Sequence, residues 1–217
     1  MIPASSAPIV LGSRSPRRRE LLAHLVSVDR IVILPPTDPR EPGFEGLRDD
    51  AAIRDQLLRI AQSKNENVRQ RPECPDKALV LTADTIIVAG EPGSRVVLGQ
   101  PPERPDWPET VRGWFHDFFV GRSHRAMTGV MLAENSPGRS REWTGIVETE
   151  VTMHSSSREM IEWYLRTGEP IGKAGGYALQ GAGSVFISRV TGSLSNVVGL
   201  PLETVREMLI AAGAIAS

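Results

Sequence analysis

The chain has 217 residues, of which 40% are apolar, and a formal net charge of −1. Such a length and apolar content suit one folded domain with a substantial core, which we expect to span residues 1–217. A charge so close to zero argues against a dedicated duplex-DNA binder, because such a protein needs a large basic surface. Cys74 is the only cysteine, so no disulfide can form within the chain and a cytoplasmic location is expected. No apolar run is long enough to span a bilayer, so no membrane association is expected.

The first predicted unit is a strand over residues 9–11, a turn of small residues and a helix over residues 16–25, with Ser15 as its cap. Four arginines lie in or beside the first helical turn, namely Arg14, Arg17, Arg18 and Arg19. Cations oppose the helix dipole at that end. An anion such as phosphate would account for them, because N–H groups and guanidinium groups would converge on it. A solvated basic face explains this stretch equally well when it is considered alone.

Two further segments carry charged residues that could serve a site. A strand over residues 30–34 leads into a proline-rich loop that contains Asp38 and Glu41. From this loop alone, an ordinary polar connection is the better interpretation. Residues 49–70 then show the apolar spacing of a helix, and Lys64 lies on the apolar face. A lysine in that position either extends to the solvent edge or points into a cleft.

Asp84 interrupts the most apolar segment of the chain. Residues 78–89 are apolar and β-branched on both sides of it, which predicts a strand covered on both faces. A carboxylate in the middle of such a strand is costly unless it is paired, coordinated or open to a cleft. We therefore interpret Asp84 as a functional residue.

The second half of the chain predicts paired strands and a glycine-rich segment. A connection over residues 90–108 precedes a helix over 109–119, with Trp114, Phe115 and Phe118 toward the core. Antiparallel strands over 126–133 and 141–153 follow. Ser156 has capping-box spacing before a helix that ends at Gly168. Residues 169–200 are rich in glycine and include a strand over 184–190, and a helix over 201–212 comes last. The order of these elements predicts an α/β fold with a mixed sheet, flanking helices and a cleft between two lobes.

Several familiar active-site patterns are missing from the sequence. It contains no Walker A loop, no Gly-x-Ser-x-Gly turn, no dinucleotide fingerprint and no zinc-binding spacing. What remains is an arginine-rich helix start, a helical lysine, an acidic strand, an acidic loop and the glycine-rich segment with Lys173 and Gln180. Carboxylates bind Mg²⁺ or Mn²⁺, while arginine and lysine neutralise phosphate. Together these parts indicate metal-assisted hydrolysis of a phosphoanhydride.

Five blocks of this sequence resemble the Maf family, in family order and over nearly the whole chain. They are residues 11–22, 82–88, 124–130, 168–181 and 195–202. The resemblance implies a cytoplasmic nucleoside triphosphate pyrophosphatase that uses a divalent metal, Mg²⁺ or Mn²⁺. Such enzymes cleave between the α- and β-phosphates, and their elongated, twisted mixed sheet is similar to that of inosine triphosphate pyrophosphatases. Members are often dimers, so the resemblance makes a homodimer a possible assembly. Neither a nucleic acid nor a membrane is an expected partner.

The resemblance also implies roles for individual residues. Asp84 matches the family's acidic residue, which acts as proton acceptor or metal-binding carboxylate. Asp38 and Glu41 are both candidates to join it at the metal, because Pro39 disrupts the pattern of the acidic loop. The expected substrate-binding residues are Ser13, Arg17, Arg18, Lys64, Thr85, Lys173 and Gln180.

Thr85 and Gln180 match the branch of the family that prefers dTTP and UTP over 7-methyl-GTP. An amide side chain can meet the donor and acceptor edge of uracil or thymine. Gln100 stands where the family usually has lysine, and glutamine can hydrogen-bond a phosphate without neutralising it. A low-turnover, nucleotide-sensing regulator of cell division is therefore one alternative function, and a pyrophosphatase for 7-methyl-GTP is another.

Overall fold

The computed structural model describes residues 7–37, 42–136 and 141–216. The strands in these ranges are β1 (Ile9–Leu11), β2 (Ile31–Ile33), β3 (Leu79–Ala89), β4 (Val96–Leu98), β5 (Ser123–Glu134), β6 (Glu142–Met153) and β7 (Ile187–Thr191). They form one sheet in the order β2-β1-β3-β5-β6-β7, with β4 paired to β3. β1 runs parallel to β2 and β3, and the other pairs are antiparallel. The predicted mixed sheet is thus confirmed.

The sheet is flanked by helices on both faces, as predicted. The helices are α1 (Pro16–Leu22), α2 (Asp50–Arg69), α3 (Trp107–Trp114), α4 (Arg158–Arg166), α5 (Leu194–Val198) and α6 (Leu202–Ala211). Ser15 caps α1 as expected, since its side chain accepts a hydrogen bond from the Arg18 amide. α1 ends three residues earlier than predicted. The amides of His24 and Leu25 bond carbonyls only three residues back, so the chain tightens into a turn there.

Several local predictions are wrong. Neither β4 nor α5 was expected, because segments of three and five residues are too short to show a periodic pattern. β7 begins later than predicted, since a 3₁₀ turn occupies residues 182–186. The cap of α4 is Ser157, not Ser156. A π-helical turn extends α3, and Phe119 rather than Phe118 is fully buried there.

β3 is covered on both faces, as its apolar sequence predicts. On one face Ile86 and Val88 pack with Ile53 and Leu57 of α2. On the other face the first half of β3 packs with α1 and α6, and the second half packs with α3 and α4. These two apolar clusters form the two predicted lobes. Polar Thr85 lies on this face of β3 between them, with its hydroxyl oxygen 3.0 Å from that of Thr128.

The sheet has an opening beside the middle of β3. β5 pairs with β3 along one side, from Leu79 to Val88. On the other side β1 pairs with Leu79–Leu81 and β4 with Ile87–Ala89. Within the described ranges, residues 82–86 therefore have no neighbouring strand on that side. Asp84 lies at the centre of this opening, where a side chain can leave the apolar interior of the sheet.

α2 approaches the sheet closely at Gly129 of β5, the residue paired with Asp84. A Cβ atom at Gly129 would lie 3.0 Å from the carbonyl oxygen and 3.1 Å from the Cγ of Leu57. Farther along α2, the Thr82 hydroxyl donates to the Ala61 carbonyl at 2.8 Å. The absence of a side chain at position 129 thus sets the distance between α2 and the centre of β3.

We expect Gly129→Ala to lower the free energy of unfolding by about 1–3 kcal/mol, because the added methyl group pushes α2 away from β5. Urea unfolding followed by circular dichroism measures the change. Gly113→Ala in α3 is the matched control, since a Cβ there meets no atom within 4 Å. Alanine favours a helix over glycine by about 1 kcal/mol, so the control gains or keeps stability. Equal stability of Gly129→Ala and the wild type would contradict the close approach.

Candidate active site

Three adjacent cavities surround the opening in the sheet, and Gln100 lines all of them. The first has a volume of about 740 Å³ and combines apolar walls, including Phe44 and Ile86, with Asp84. The second, of about 450 Å³, is lined mainly by polar and basic residues. The third, of about 120 Å³, lies between Thr85 and Tyr177. Because Gln100 is shared, the three cavities form one cleft.

Asp84 and Lys64 form an ion pair at this cleft. Nζ of Lys64 lies 2.6 Å from Oδ1 of Asp84, and the two side chains are only 14% and 15% exposed. The apolar face of α2 rests on β3, which brings residue 64 opposite Asp84. Lys64 therefore points into the cleft, which decides between the two interpretations that the sequence left open. The lysine charge offsets the cost of holding a carboxylate in this apolar strand.

Arg18 links three separate parts of the chain beside the third cavity. Its Nε donates to the Gly199 carbonyl at 2.8 Å, and its Nη2 donates to the Thr85 hydroxyl at 3.0 Å. Its Nη1 lies 3.3 Å from the Ser13 hydroxyl. These bonds join the loop after β1, the centre of β3 and the end of α5. Arg18 also lines the second and third cavities, so it both shapes the cleft and contributes positive charge to it.

Gly199 is a site residue that the sequence analysis missed. It ends α5 with a φ of +120°, which residues with a side chain rarely adopt. Asn196 holds this helix on the sheet, because its amide donates to the carbonyls of Ala126 at 3.0 Å and Val147 at 3.3 Å. The Gly199 carbonyl accepts its bond from Arg18, 181 positions earlier in the sequence. No local spacing could have connected the two residues.

The start of α1 offers fewer unbonded amides than the sequence suggested. α1 has only seven residues. The Ser13 amide donates to the Leu11 carbonyl at 2.9 Å, and the Ser15 amide donates to the Ser13 hydroxyl at 3.2 Å. The Arg18 amide lies 3.4 Å from the Ser15 hydroxyl. The second cavity therefore takes its positive character from side chains rather than from these amides.

The arginines at α1 differ in exposure, and one of them faces a second cation. Arg14 and Arg19 are exposed, whereas Arg17 and Arg18 are half-buried. Arg17 lines the second and third cavities, and Lys173 lines the third. Burial and the charge of Arg17 lower the pKa of Lys173. Two cations that repel each other across a cavity are stabilised by an anion bound between them.

The structure does not bring all the expected site residues together. Gln180 is exposed and lines none of the three cavities. Asp38 and Glu41 lie outside the described residues. In the part of the chain that is described, no group of three or more His, Cys, Asp or Glu side chains could hold a metal ion. Nor does any helix in that part have the length and apolar character to cross a membrane.

Comparison with known sequences gives a consistent result. Residues 8–212 match the family described as Maf-like protein. A protein of Anaeromyxobacter dehalogenans named dTTP/UTP pyrophosphatase is 38% identical over 206 residues, which is 94% of each chain. A protein of the same name from Cereibacter sphaeroides is 39% identical over 205 residues, covering 94% of this chain and 95% of the relative.

Among solved structures, a nucleoside-triphosphatase / dITP/XTP pyrophosphatase from Mycobacterium abscessus overlaps 67% of this chain and 74% of its own. The identity is 12% and the TM-score is 0.37.

We expect Arg18→Lys to lower the free energy of unfolding by about 1–3 kcal/mol, because an ammonium group cannot reach the three separate acceptors that the guanidinium group reaches. Thermal and urea unfolding measure the loss. Arg19→Lys, at an exposed position on the same helix, is the control and should stay within about 0.5 kcal/mol of the wild type. If both variants unfold like the wild type, Arg18 does not hold the cleft together.

Proposed function

The chain belongs to the Maf family, and we therefore propose that it is a nucleoside triphosphate pyrophosphatase that hydrolyses dTTP and UTP to the nucleoside monophosphate and pyrophosphate. The observation that carries this proposal is the position of the Asp84–Lys64 pair. The pair lies in the opening of the sheet, beside a cavity lined by Arg17 and Arg18. A carboxylate next to several cations suits the attack of water on a polyphosphate.

In this proposal the triphosphate lies in the second cavity. Arg17 supplies a guanidinium group with no hydrogen-bond or ion-pair partner among the described residues, so it can bind phosphate oxygens without breaking an existing bond. Arg18 contributes charge from its fixed position, and the nearly buried Ser13 hydroxyl lies beside it. Lys64 places a further charge next to Asp84. Together these side chains neutralise much of the charge of a triphosphate.

Asp84 orients the attacking water and accepts its proton. The water oxygen forms a new bond to the α-phosphorus while the bond to the oxygen bridging the α- and β-phosphates breaks. Pyrophosphate leaves with the electron pair of that bond. Lys64 keeps the carboxylate in place through its 2.6 Å hydrogen bond and lies where it can offset charge that develops on the phosphates.

A divalent cation, Mg²⁺ or Mn²⁺, fits the donor set of this cleft. Lys64 bonds Oδ1 of Asp84, and the second carboxylate oxygen is the donor atom that would hold the ion. Mg²⁺ in nucleotide sites is typically held by one or two carboxylates together with phosphate oxygens and water. Asp38 or Glu41 would supply a second carboxylate. When bound, the ion polarises the α-phosphate and carries part of the charge of the leaving pyrophosphate.

The preference for dTTP and UTP is supported by the names of the two relatives and by Thr85, which lines the first and third cavities. Gln180 remains the candidate for reading the edge of the base. We further propose a cytoplasmic location, where the buried thiol of Cys74 stays reduced. A homodimer, as is frequent in this family, is the assembly that we propose.

We expect Asp84→Asn to reduce kcat/KM for dTTP by about 10²–10⁴-fold, because an amide cannot accept the proton of the attacking water. Steady-state release of pyrophosphate from dTTP measures the rate. Asp50→Asn is the control: Asp50 accepts hydrogen bonds from Arg95 and Arg125 and lines none of the three cavities. Its variant should keep kcat/KM within about 3-fold. Hydrolysis by a folded Asp84→Asn protein at the wild-type rate would overturn the assignment.

A further inference from the structure

Glu169 stands at the start of the glycine-rich segment, three residues after the last residue of α4. The Thr167 hydroxyl donates to the Tyr164 carbonyl at 2.6 Å and accepts a hydrogen bond from the Glu169 amide at 3.1 Å. Gly168 has a φ of +69°, the left-handed conformation that commonly ends a helix. The chain therefore turns sharply at this point, and the Glu169 side chain meets the segment that follows it.

Both carboxylate oxygens of Glu169 are bonded to donors on other residues. Oε2 accepts from the Ala182 amide at 2.7 Å, and Oε1 accepts from the Gly183 amide at 2.8 Å. The Tyr164 hydroxyl lies 3.2 Å from Oε1 and 3.3 Å from the Gly176 carbonyl oxygen, so these two acceptors share its one proton. Burial and the charge of Glu169 raise the pKa of Tyr164, so this hydroxyl keeps its proton. Only an ionised carboxylate can accept from all three groups, because one end of an amide is itself a donor.

The main chain of Glu169 holds a second part of the segment. Its carbonyl oxygen accepts a hydrogen bond from Nζ of Lys173 at 2.5 Å. Burial and the charge of Arg17 lower the pKa of Lys173, and the charge of Glu169 opposes that shift. Glu169 therefore fixes the location of the lysine that lines the third cavity and helps it to stay charged.

The segment passes so close to Glu169 that position 181 requires glycine. A Cβ atom at Gly181 would collide with Oε2 of Glu169. Gly181 also has a φ of +130°, which residues with a side chain rarely adopt. Gln180 directly precedes this residue, and Ala182 directly follows it. The carboxylate of Glu169 thus sets the course of the chain at Gln180.

The middle of the segment has other anchors. The Gly175 amide donates to the Gly99 carbonyl at 2.9 Å. The Tyr177 hydroxyl lies 2.7 Å from Nε2 of His124, whose ring is neutral because burial lowers its pKa to about 3. These contacts do not involve Glu169. Loss of its carboxylate should therefore release residues 180–183 and remove a charge that helps Lys173 to stay ionised, while the main-chain bond to Lys173 and the packing of the middle remain.

We propose that Glu169 is a positioning residue that closes residues 169–183 into a loop. The loop so presents Lys173, in the third cavity, to the phosphates, and Gln180, exposed outside the three cavities, to a base that extends beyond them. This proposal rests on the function proposed above and adds to it the side chain that sets nucleotide affinity and base preference. No hydrogen bond or ion pair of the described residues joins Glu169 to Asp84 or Lys64, so the chemical step itself does not depend on it.

Glu169→Gln keeps the size of the side chain and removes its capacity to accept from all three donors. We expect KM for dTTP to rise about 10-fold while kcat changes less than about 3-fold. The ratio of kcat/KM for dTTP to that for dCTP should fall about 10-fold, because Gln180 no longer meets the base edge in one fixed geometry. This ratio is independent of the fraction of active protein, so a merely structural role would leave it unchanged.

Tyr164→Phe removes one of the three donors and should change the same ratio in the same direction, by about 3-fold. Glu162→Gln is the matched control. Glu162 lies in α4 and accepts two hydrogen bonds from Arg112, at 2.6 and 3.1 Å, and it lines none of the three cavities. Its variant should keep the wild-type KM and the wild-type ratio even if it is less stable.

The outcomes separate this proposal from the function on which it rests. A folded Glu169→Gln protein with the KM and ratio of the wild type contradicts the positioning role alone. If Glu169→Gln does not fold, an unchanged ratio in Tyr164→Phe contradicts it. If the wild type hydrolyses neither dTTP nor UTP, the proposed function fails, and calorimetric binding of dTTP then tests Glu169: about 10-fold weaker binding by the variant supports the role, and equal binding contradicts it.

Discussion

The ion pair between Lys64 and Asp84 is the interaction on which the rest of the cleft depends. A carboxylate at the centre of an apolar strand is costly, and two features of the fold offset that cost. The sheet is open beside residues 82–86, so the side chain reaches a cavity. α2 packs across β3 and brings an ammonium group to 2.6 Å. Gly129 lets that helix come close, so a packing contact in the fold determines the geometry of the site.

Positive charge is arranged around this pair in two different ways. Arg18 is held by acceptors on three parts of the chain, so its charge is fixed before any ligand binds. Arg17 and Lys173 come from different segments and repel each other, and burial together with the charge of Arg17 lowers the pKa of Lys173. An anion between them would relieve that repulsion. The glycine-rich segment can place its lysine there because the carbonyl oxygen of Glu169 holds Lys173 and its carboxylate holds the amides of Ala182 and Gly183.

The residues of the site that could be predicted are those whose charged side chains lie in an apolar segment, where burial costs free energy. A single carboxylate in an apolar strand and a lysine on an apolar helix face are conspicuous in the sequence, and the structure pairs them. The link from Arg18 to Gly199 could not be predicted, because it joins residues 181 positions apart with no shared periodicity. β4 could not be predicted either, because three residues are too few to show the alternation of a strand. Its short pairing with β3 nevertheless creates one edge of the opening. The mixed sheet and the two lobes were predictable from longer segments, where periodicity is strong.

The identity of the products formed from dTTP tests the central claim most directly. Phosphorus NMR of the wild-type protein with dTTP and Mg²⁺ should show dTMP and pyrophosphate in equal amounts, and a matched sample with EDTA in place of Mg²⁺ should show neither. Formation of dTDP and inorganic phosphate would mean that water attacks a different phosphorus atom. That result, or the absence of any turnover by the folded protein, would contradict the role of Asp84 and its cleft in cleaving between the α- and β-phosphates.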